Sequence, residues 1–330
     1  MKEEFQFEFI NQNSNDDVLV TLLKTASIIH NRKQDSLEWI KWKYFGSPFG
    51  NAFCLVAKTN DDKIVAEITF GCYQFILNNK SLNCLISYQT MVHPNYQKRG
   101  LFGLLTKKIL AKAESDGIDL VLNFPNKASY APFQKLRFVP INHIENKVYF
   151  TKKFSTLWNI FSLKKTFLPR PISVINKEQV QLFNELKNTI SPLSVKDVLV
   201  PNRSANFIQW RYFTFPLYDY RIVKTAMGWC IVRLGNRAKL KEVQIMEIFS
   251  ESITKEFFSE LRNEIILQFK PNIILYNFSY NHPANTIISK LGFYSLPHQI
   301  NFFVYALNKK YTHLLQKENW IITATEFHRY

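Results

Sequence analysis

The stretch "VHPNYQKRGLFGLL", residues 92–105, carries the local pattern that decides the fold. It closes an alternating apolar segment, passes through a basic turn with two of the chain's nine glycines, and opens an apolar run with helical spacing. Glycine permits close approach of a ligand, and a helix N-terminus attracts anions. The pattern predicts a strand, a loop that binds an anion such as pyrophosphate, and a helix. A plain turn with a basic rim stays open, because neither the P-loop nor the dinucleotide-binding pattern is complete.

The segments around this loop predict a mixed sheet with helices. Residues 53–92 predict three strands of an antiparallel meander, with turns at residues 60–62 and 78–80. Helices over residues 16–45 precede the meander, with Asn15 and Ser36 as N-caps. After the loop the pattern predicts a helix to about Gly117, a strand, a short helix and a strand. This order predicts an α+β (α/β mixed) fold.

Two segments recur in the second half of the chain. "SLEWIKWKYFGSP" at residues 36–48 aligns with "SANFIQWRYFTFP" at 204–216, and "NKASYAPFQKLRF" at 126–138 aligns with "NHPANTIISKLGF" at 281–293. The offsets of 168 and 155 residues make the second copy 13 residues shorter between these segments, and the glycine-bearing loop has no counterpart there. The chain is therefore predicted to hold two related domains, at residues 1–155 and 176–330, joined by a linker at 156–175.

Composition and charge narrow the classes of partner. The 42 Lys and Arg residues against 26 Asp and Glu give a net charge of +16, which favours polyanionic partners. The four cysteines form no C-x-x-C pair, which predicts no metal site and reduced thiols in the core. The sequence shows no signal-peptide pattern and no long apolar run, so we expect a cytoplasmic protein without membrane insertion.

The loop and the segment at 126–138 together resemble the GNAT (GCN5-related N-acetyltransferase) superfamily. Residues 97–103, "QKRGLFG", are similar to its Q/R-x-x-G-x-G/A signature, with Phe102 as an extra residue before the last glycine. Residues 126–138 are similar to its N-x-x-A-x-x-x-Y-x-x-x-G-F helix, with Phe133 in place of the tyrosine and Arg137 in place of the glycine. The resemblance implies two tandem GNAT-like domains, each with a mixed central β-sheet flanked by helices. The second copy, which lacks the CoA pyrophosphate loop, is then an acceptor-binding or scaffold domain.

The resemblance implies acyl-CoA (coenzyme A) as co-substrate, bound by the first copy. In the superfamily the pyrophosphate lies on backbone N–H groups of the loop, here residues 98–103, and a backbone N–H at the strand end polarises the thioester carbonyl. The implied contacts lie on the strand end, the loop and the following short helix: Met91, Val92, Gln97, Lys98, Arg99, Gly100, Leu101, Phe102, Gly103, Asn126, Ser129 and Phe133.

Three side chains are candidates for proton transfer, since N-acylation needs a neutral amine and an acid for the leaving thiolate. His93, directly after the strand, and Glu67, on the neighbouring strand, are candidate bases; a turn-capping histidine and a surface or strand-edge carboxylate are the alternatives. Tyr130 is the candidate acid, because Phe133 cannot donate a proton; a core or rim aromatic is the alternative. A sugar amine is less basic than lysine, so a water chain in place of a base also stays open.

The acceptor is implied by the most similar members of the superfamily. The segments "EWIKWKYFGSP" and "MVHPNYQKRGLF" look most similar to acyltransferases of bacterial surface-polysaccharide biosynthesis (lipopolysaccharide, O-antigen or capsule), which N-acylate nucleotide-linked, dTDP-type amino sugars. Aromatic stacking and cationic contacts would bind the nucleotide diphosphate between the copies. The candidates, chosen by position only and each with an ordinary surface or packing role as the alternative, are Tyr88, Gln89, Arg211, Tyr212, Lys224 and Arg233.

Other functions stay open from the sequence. A tandem-GNAT aminoacyltransferase using tRNA or peptide would suit the positive charge, although the loop favours CoA. Aminoglycoside and protein-lysine acetyltransferases act on cationic acceptors, which a basic chain suits poorly. A non-enzymatic nucleic-acid-binding protein is disfavoured because Lys and Arg are spread along the chain rather than gathered in one stripe.

Overall fold

The computed structural model describes residues 4–31, 33–151, 167–190, 193–237 and 239–327. The chain forms two compact units. Unit 1 comprises Met1–Asn142 and Phe302–Gln316, and unit 2 comprises His143–Asn301 and Lys317–Tyr330. Unlike the predicted domains 1–155 and 176–330, neither unit is one continuous segment.

Unit 1 is a mixed sheet with helices, as the sequence predicts. Its elements in chain order are β1 (Gln6–Ile10), α1 (Asp16–His30), α2 (Leu37–Phe45), β2 (Phe53–Lys58), β3 (Ile64–Leu77), β4 (Lys80–Val92), α3 (Leu101–Ser115), β5 (Leu120–Asn123) and α4 (Lys127–Lys135). The strands β1 to β4 pair antiparallel in sequence order, which confirms the predicted meander. β5 then pairs parallel with β4, and its other edge pairs antiparallel with residues 303–306.

Local sequence explains why the unit 1 helices begin where they do. Asn15 accepts a hydrogen bond from the Asp17 N–H, and Ser36 accepts one from the Trp39 N–H, so both predicted N-caps are confirmed. Along α3, Leu101, Leu105 and Ile109 recur at four-residue intervals and are buried against the sheet. This packing fixes α3, and with it the loop at its N-terminus.

Unit 2 repeats the mixed architecture. Its elements in chain order are β6 (Val139–Phe150), β7 (Phe167–Pro169), α5 (Lys177–Leu186), β8 (Val200–Pro201), α6 (Ala205–Phe213), β9 (Tyr220–Thr225), β10 (Gly228–Arg237), β11 (Leu240–Phe249), α7 (Lys255–Phe269), β12 (Ile273–Tyr276), α8 (Ala284–Lys290), β13 (Tyr294–Ala306) and α9 (Ala324–Phe327), with β6 beginning and β13 ending in unit 1. β10 pairs antiparallel with β11, β9 and β7, while β12 pairs with β11 and β6. Within the predicted linker, β7 is an edge strand, and residues 156–166 lie outside the described residues.

The repeated sequence segments adopt matching local structures. The helices α2 and α6 are both nine residues long and are capped by Ser36 and Ser204. Arg137 and Gly292, which are aligned in the second repeat, both have left-handed backbone, with φ of 65° and 84°. In contrast, α7 begins with a side-chain cap from Thr254, whereas α3 begins at Gly100 with no side-chain cap. The mixed α+β fold is therefore confirmed, and the matching segments agree with two related copies; among the described residues, the start of α7 has no counterpart of the loop that precedes α3.

The structure places all four cysteines in the core, and it contains no membrane-spanning helix among the described residues. Cys54, Cys72, Cys84 and Cys230 are all buried and unpaired with one another, and burial raises the pKa of each thiol. They are core residues, as predicted. Over the described ranges, no helix has the length and apolar character needed to cross a bilayer.

Candidate functional site

The parallel pairing between β4 and β5 stops well before β4 ends. Their pairing covers only Cys84 to Ile86 on β4 and Leu120 to Leu122 on β5, although β4 continues to Val92. A β-bulge lies just beyond the last pair, because Ser87 and Gln89 pair with adjacent residues of β3 while Tyr88 is the extra residue. The two strands therefore leave a wedge, and residues 87–92 of β4 have no β5 partner along it.

The backbone direction along this part of β4 decides which N–H groups face the wedge. The His93 N–H donates to the Val65 carbonyl on β3 at 2.8 Å. Successive residues of an antiparallel ladder direct their N–H groups to opposite sides, so Met91 also faces β3, whereas Thr90 and Val92 face away from it. Consistently, the Val92 carbonyl accepts a hydrogen bond from Gln97 Nε2 at 3.2 Å. Of the main-chain groups predicted near a thioester, only that of Val92 is suitably directed.

The loop after β4 is held by its own side chains. His93 caps a short 3-10 turn at Pro94–Tyr96 by accepting a hydrogen bond from the Asn95 N–H at 3.3 Å. Arg99 donates to the Asn95 carbonyl at 3.1 Å and lies over the Tyr96 ring, with 4.8 Å to the centroid. The side chains of Gln97 and Arg99 thus shape the loop, and Lys98, like Arg99, is an exposed cation in it.

The start of α3 is open to a ligand. Gly100 has φ of 81°, a conformation that favours glycine, and it accepts the first helical hydrogen bond from the Leu104 N–H at 3.0 Å. The N–H groups of Leu101, Phe102 and Gly103 consequently have no acceptor inside the helix. A Cβ added at Gly100 or Gly103 would meet nothing within 4 Å. The glycines therefore leave free space above donors that suit an anion.

The predicted contacts on α4 are engaged within the protein. Asn126 and Ser129 form a capping box, in which Asn126 Oδ1 accepts from the Ser129 N–H and Ser129 Oγ accepts from the Asn126 N–H. Phe133 is buried between the Phe102 and Phe138 rings, at 5.1 and 4.9 Å. Asn126 and Ser129 thus stabilise the start of α4, and Phe133 packs in the core. Their contact with coenzyme A stays a prediction.

Tyr130 and His93 remain available as proton-transfer candidates. Tyr130 is half-buried with its ring edge-on to Phe303 at 4.8 Å. His93 lines a cavity of about 310 Å³ together with residues of α1 and the start of β3, including Thr21, Thr25 and Lys63. The imidazole therefore combines a capping role with access to space beside the end of β4.

Glu67 does not suit the predicted role of general base. Its side chain is completely buried, and Oε1 accepts from Tyr44 Oη at 2.5 Å and from Thr69 Oγ1 at 2.7 Å, while Oε2 accepts from Gln89 Nε2 at 3.1 Å. Burial and the neighbouring carboxylate raise the pKa of Tyr44, so its hydroxyl stays protonated and donates. A base must reach the acceptor amine, whereas this carboxylate is enclosed by protein donors.

Tyr44 was not among the predicted site residues, although the internal repeat contained its signal. Tyr44 and Tyr212 occupy the same place in the two aligned segments. Tyr212 also donates to a buried carboxylate, Glu247 Oε1, at 3.2 Å. A tyrosine–glutamate pair thus links the second helix to the sheet in both units.

The predicted acceptor residues are mostly internal to their own units. In unit 1, Tyr88 is buried with its ring packed over Gly71, and Gln89 is bonded to Glu67. In unit 2, Arg211 donates to Tyr220 Oη at 3.0 Å, and Arg233 donates to Gln244 Oε1 at 2.9 Å.

Burial limits what these residues can bind. Arg211, Tyr212 and Arg233 are all less than 5% exposed, and burial lowers the pKa of Arg233. Lys224 alone among the six candidates is exposed, and it lines a cavity of about 500 Å³ in unit 2. Within the described ranges, no group of three or more His, Cys, Asp and Glu side chains is placed to hold a metal ion.

Comparison with known proteins agrees with this geometry. The family model described as "Acetyltransferase (GNAT) domain" matches residues 20–135. No curated protein matches the sequence. A GCN5-related N-acetyltransferase from Kribbella flavida is similar in structure, with a TM-score of 0.54 and 13% identity over 92% of this chain and 72% of that chain.

Two further solved structures share the fold. The N-myristoyltransferase of Saccharomyces cerevisiae with bound myristoyl-CoA has a TM-score of 0.55 and 11% identity, covering 91% of this chain and 82% of that chain. Eis1 from Mycobacterium abscessus has a TM-score of 0.59 and 8% identity, covering 95% of this chain and 76% of that chain. The family match spans the wedge, the loop and α3. The match to the GNAT acetyltransferase model thus covers residues 20–135, and the likeness to these solved structures shows a shared fold.

Proposed function

We propose that the protein transfers an acyl group from acyl-CoA to the amine of a nucleotide-linked, dTDP-type amino sugar. The observation that carries the donor half of this proposal is the wedge between β4 and β5, which opens toward a helix start kept free by Gly100 and Gly103. Parallel strands that separate in this way expose unpaired backbone groups to an extended ligand.

The donor would be bound mainly by backbone groups. The N–H groups of residues 101–103, with Lys98 beside them, suit the pyrophosphate. The arm that leads to the sulfur would follow β4 into the wedge, where the N–H groups of Thr90 and Val92 face it. The Val92 N–H then suits the thioester carbonyl, whose oxygen gains negative charge as the amine attacks.

The chemistry needs few side chains. The neutral sugar amine forms the new C–N bond, the C–S bond breaks, and the proton lost by the amine balances the thiolate. His93 is the accessible candidate base to take this proton, directly or through water, since Glu67 is enclosed; Tyr130 stays the candidate acid for the thiolate, since Phe133 has no proton to give.

Two observations support the acceptor half. The net charge of +16 favours a polyanionic substrate such as a nucleoside diphosphate sugar. The cavity beside His93, about 310 Å³, lies at the end of β4 where an acceptor would meet the thioester, and Lys63 is among the residues that line it.

An acyl-transfer assay with paired acceptors tests this proposal. The protein with acetyl-CoA is incubated with a dTDP-amino sugar, and the product mass is measured; the same dTDP-sugar with a hydroxyl in place of the amine is the control. We expect acylation of the amine-bearing sugar only. Acylation of an aminoglycoside or a peptide, with no transfer to the dTDP-amino sugar, would contradict the acceptor but leave the donor intact.

A further inference from the structure

Unit 2 has a wedge of its own between two parallel strands. The pairing of β11 with β12 covers only residues 242–245 of β11 and 273–276 of β12, although β11 continues to Phe249. A β-bulge at Met246 follows the last pair directly. Residues 246–249 of β11 therefore lie beyond the end of their pairing with β12, and the second wedge begins there.

A segment near the end of the chain is buried in unit 2. Each of the eight residues from Trp320 to Phe327, called here the C-terminal segment, is at most 8% exposed. Gln316 and Glu318, which lead to this segment, are exposed. Burying eight consecutive residues, polar ones included, requires hydrogen-bond partners for their backbone and side chains. The partners show where the segment lies.

The backbone of the C-terminal segment pairs with the chain that leaves β12. Ser279 follows the last residue of β12 by three positions. Its N–H donates to the Ile322 carbonyl at 2.8 Å, and its Oγ accepts from the Ile322 N–H at 2.9 Å. The neighbouring Ile321 N–H donates to the Leu199 carbonyl, also at 2.8 Å. The segment thus makes strand-like backbone bonds to two other parts of unit 2.

The side chains of the C-terminal segment reach β11. Glu247, the first residue of β11 after the bulge, accepts from Thr323 Oγ1 at 3.2 Å and from Thr325 Oγ1. Arg203 Nε lies 2.8 Å from Glu247 Oε1, and Arg203 Nη2 donates to Glu326 Oε1 at 2.6 Å. Charge-assisted bonds of this kind are strong, and removing one member leaves a buried charge poorly compensated. The segment therefore spans the wedge of unit 2, from the chain after β12 to the unpaired end of β11.

We propose that the wedge of unit 2 is a peptide-binding groove and that the C-terminal segment is its tethered ligand. Backbone bonds supply the affinity, while the buried Trp320 ring and the pairing of Glu326 with Arg203 supply the sequence specificity. Because the ligand is part of the chain, its effective concentration is high and the groove stays occupied. This inference concerns unit 2 alone and does not rest on the donor proposed for unit 1.

A full-length protein that can be cut before the C-terminal segment tests the inference. A protease recognition site is inserted between Gln316 and Lys317, and the cut protein is separated from the released fragment by chromatography. A labelled peptide of residues 317–330 is then titrated by fluorescence anisotropy. We expect saturable binding, and a melting temperature that is lower than that of the uncut protein and rises with peptide concentration.

Two altered peptides test the specificity of the groove. With Glu326→Ala we expect binding about tenfold weaker or more, because Arg203 loses one of its two carboxylate partners. Glu318→Ala is the matched control, since it removes the same charge at an exposed position. This control peptide should bind like the unaltered one.

Three results would overturn the inference. Anisotropy and melting temperature that do not respond to the peptide, or a cut protein that unfolds and that excess peptide cannot refold, would make the segment an integral part of the core. Equal affinity of the Glu326→Ala peptide would exclude Arg203 as a specificity contact. A coenzyme A site that appears in unit 2 after removal of the segment would assign this wedge to a small-molecule donor instead of a peptide.

Discussion

Arg137 is the residue at which this chain departs most clearly from its own repeat. It is exposed, and its φ of 65° lies in the left-handed region, where the aligned Gly292 has 84°. Left-handed backbone is costly for residues with a Cβ, by roughly 1–2 kcal/mol. The sequence comparison identified arginine at a glycine position, and the structure shows that the backbone keeps the glycine conformation.

Arg137→Gly should therefore stabilise the protein. We expect the free energy of unfolding to rise by about 1 kcal/mol, since the relief of strain exceeds the entropy that glycine adds to the unfolded chain. Urea denaturation measures this change. As a matched control, Lys135→Gly within α4 should lower the free energy of unfolding by about 1 kcal/mol, and a loss of stability in Arg137→Gly would contradict the account.

His282 makes the stability of the protein depend on pH. It is buried, its Nδ1 accepts a hydrogen bond from the Ala284 N–H at 3.2 Å, and burial lowers its pKa to about 3. In the unfolded chain its pKa is near 6.5. Below pH 6.5 the unfolded state therefore binds a proton that the native state does not, and stability falls as pH falls from about 6.5 toward 3.

We expect the wild-type protein to lose about 2 kcal/mol more than His282→Asn between pH 6.5 and pH 5. Asparagine keeps an acceptor for the Ala284 N–H but does not titrate. Urea denaturation of both proteins at the two pH values measures the difference. Equal losses would show that His282 is protonated in the native state.

At the scale of the element, the strand–loop–helix at residues 80–115 was predictable and the role of Glu67 was not. Glycine spacing and the change from alternating to helical periodicity are local, so they predicted β4, the loop and α3. Glu67 was predicted as a candidate base, with a surface or strand-edge carboxylate as the alternative, yet every residue of β3 from Ile64 to Tyr73 is buried. The long apolar run around Glu67 was the available signal, because a strand covered on both faces has no exposed side.

Gly103→Ala should change the stability of α3 and the affinity for coenzyme A in opposite directions. Alanine in the first turn of α3 meets no atom within 4 Å and is the better helix former, so we expect the free energy of unfolding to rise by about 0.5–1 kcal/mol. The added Cβ occupies the space above the helix start, so coenzyme A should bind more weakly. Thermal unfolding and calorimetric titration measure the two effects, and Lys107→Ala, one turn further along α3, is the control. Tighter or equal coenzyme A binding in Gly103→Ala would contradict the loop assignment.

Val92→Pro tests the backbone N–H that faces the wedge. Proline removes this donor without removing a bond of the β3 ladder, and we expect kcat to fall by about 10²- to 10³-fold, as for the loss of one oxyanion donor. Val92→Ala keeps the N–H and should retain kcat within a few-fold. Steady-state kinetics with melting temperatures measure both variants, and similar kcat values for proline and alanine would exclude a role for this N–H.

At the scale of the whole molecule, the two copies were predictable but their boundaries were not. Matching segments such as those containing Tyr44 and Tyr212 are local and survive in sequence. The assignment of residues 302–316 to unit 1 depends on the pairing of β13 with β5, between residues about 180 positions apart. Periodicity predicts that a strand exists, but not which distant strand it pairs with.

A few residues at two helix starts explain why we expect the first copy, and not the second, to bind coenzyme A. In unit 1, α3 begins at Gly100, and its first N–H groups have free space above them. In unit 2, Thr254 Oγ1 accepts from the Phe257 N–H at 3.2 Å and closes the equivalent start of α7. We therefore expect a single acyl-CoA site in each chain.

Calorimetric titration of coenzyme A into the wild-type protein and Gly103→Asp tests this central claim most directly. Aspartate in the first turn suits the helix, so the variant should keep its melting temperature, but its charge repels the pyrophosphate. We predict one coenzyme A bound per wild-type chain and no detectable binding to the variant. Absence of binding to the wild type, two sites per chain, or unchanged affinity in Gly103→Asp would contradict it.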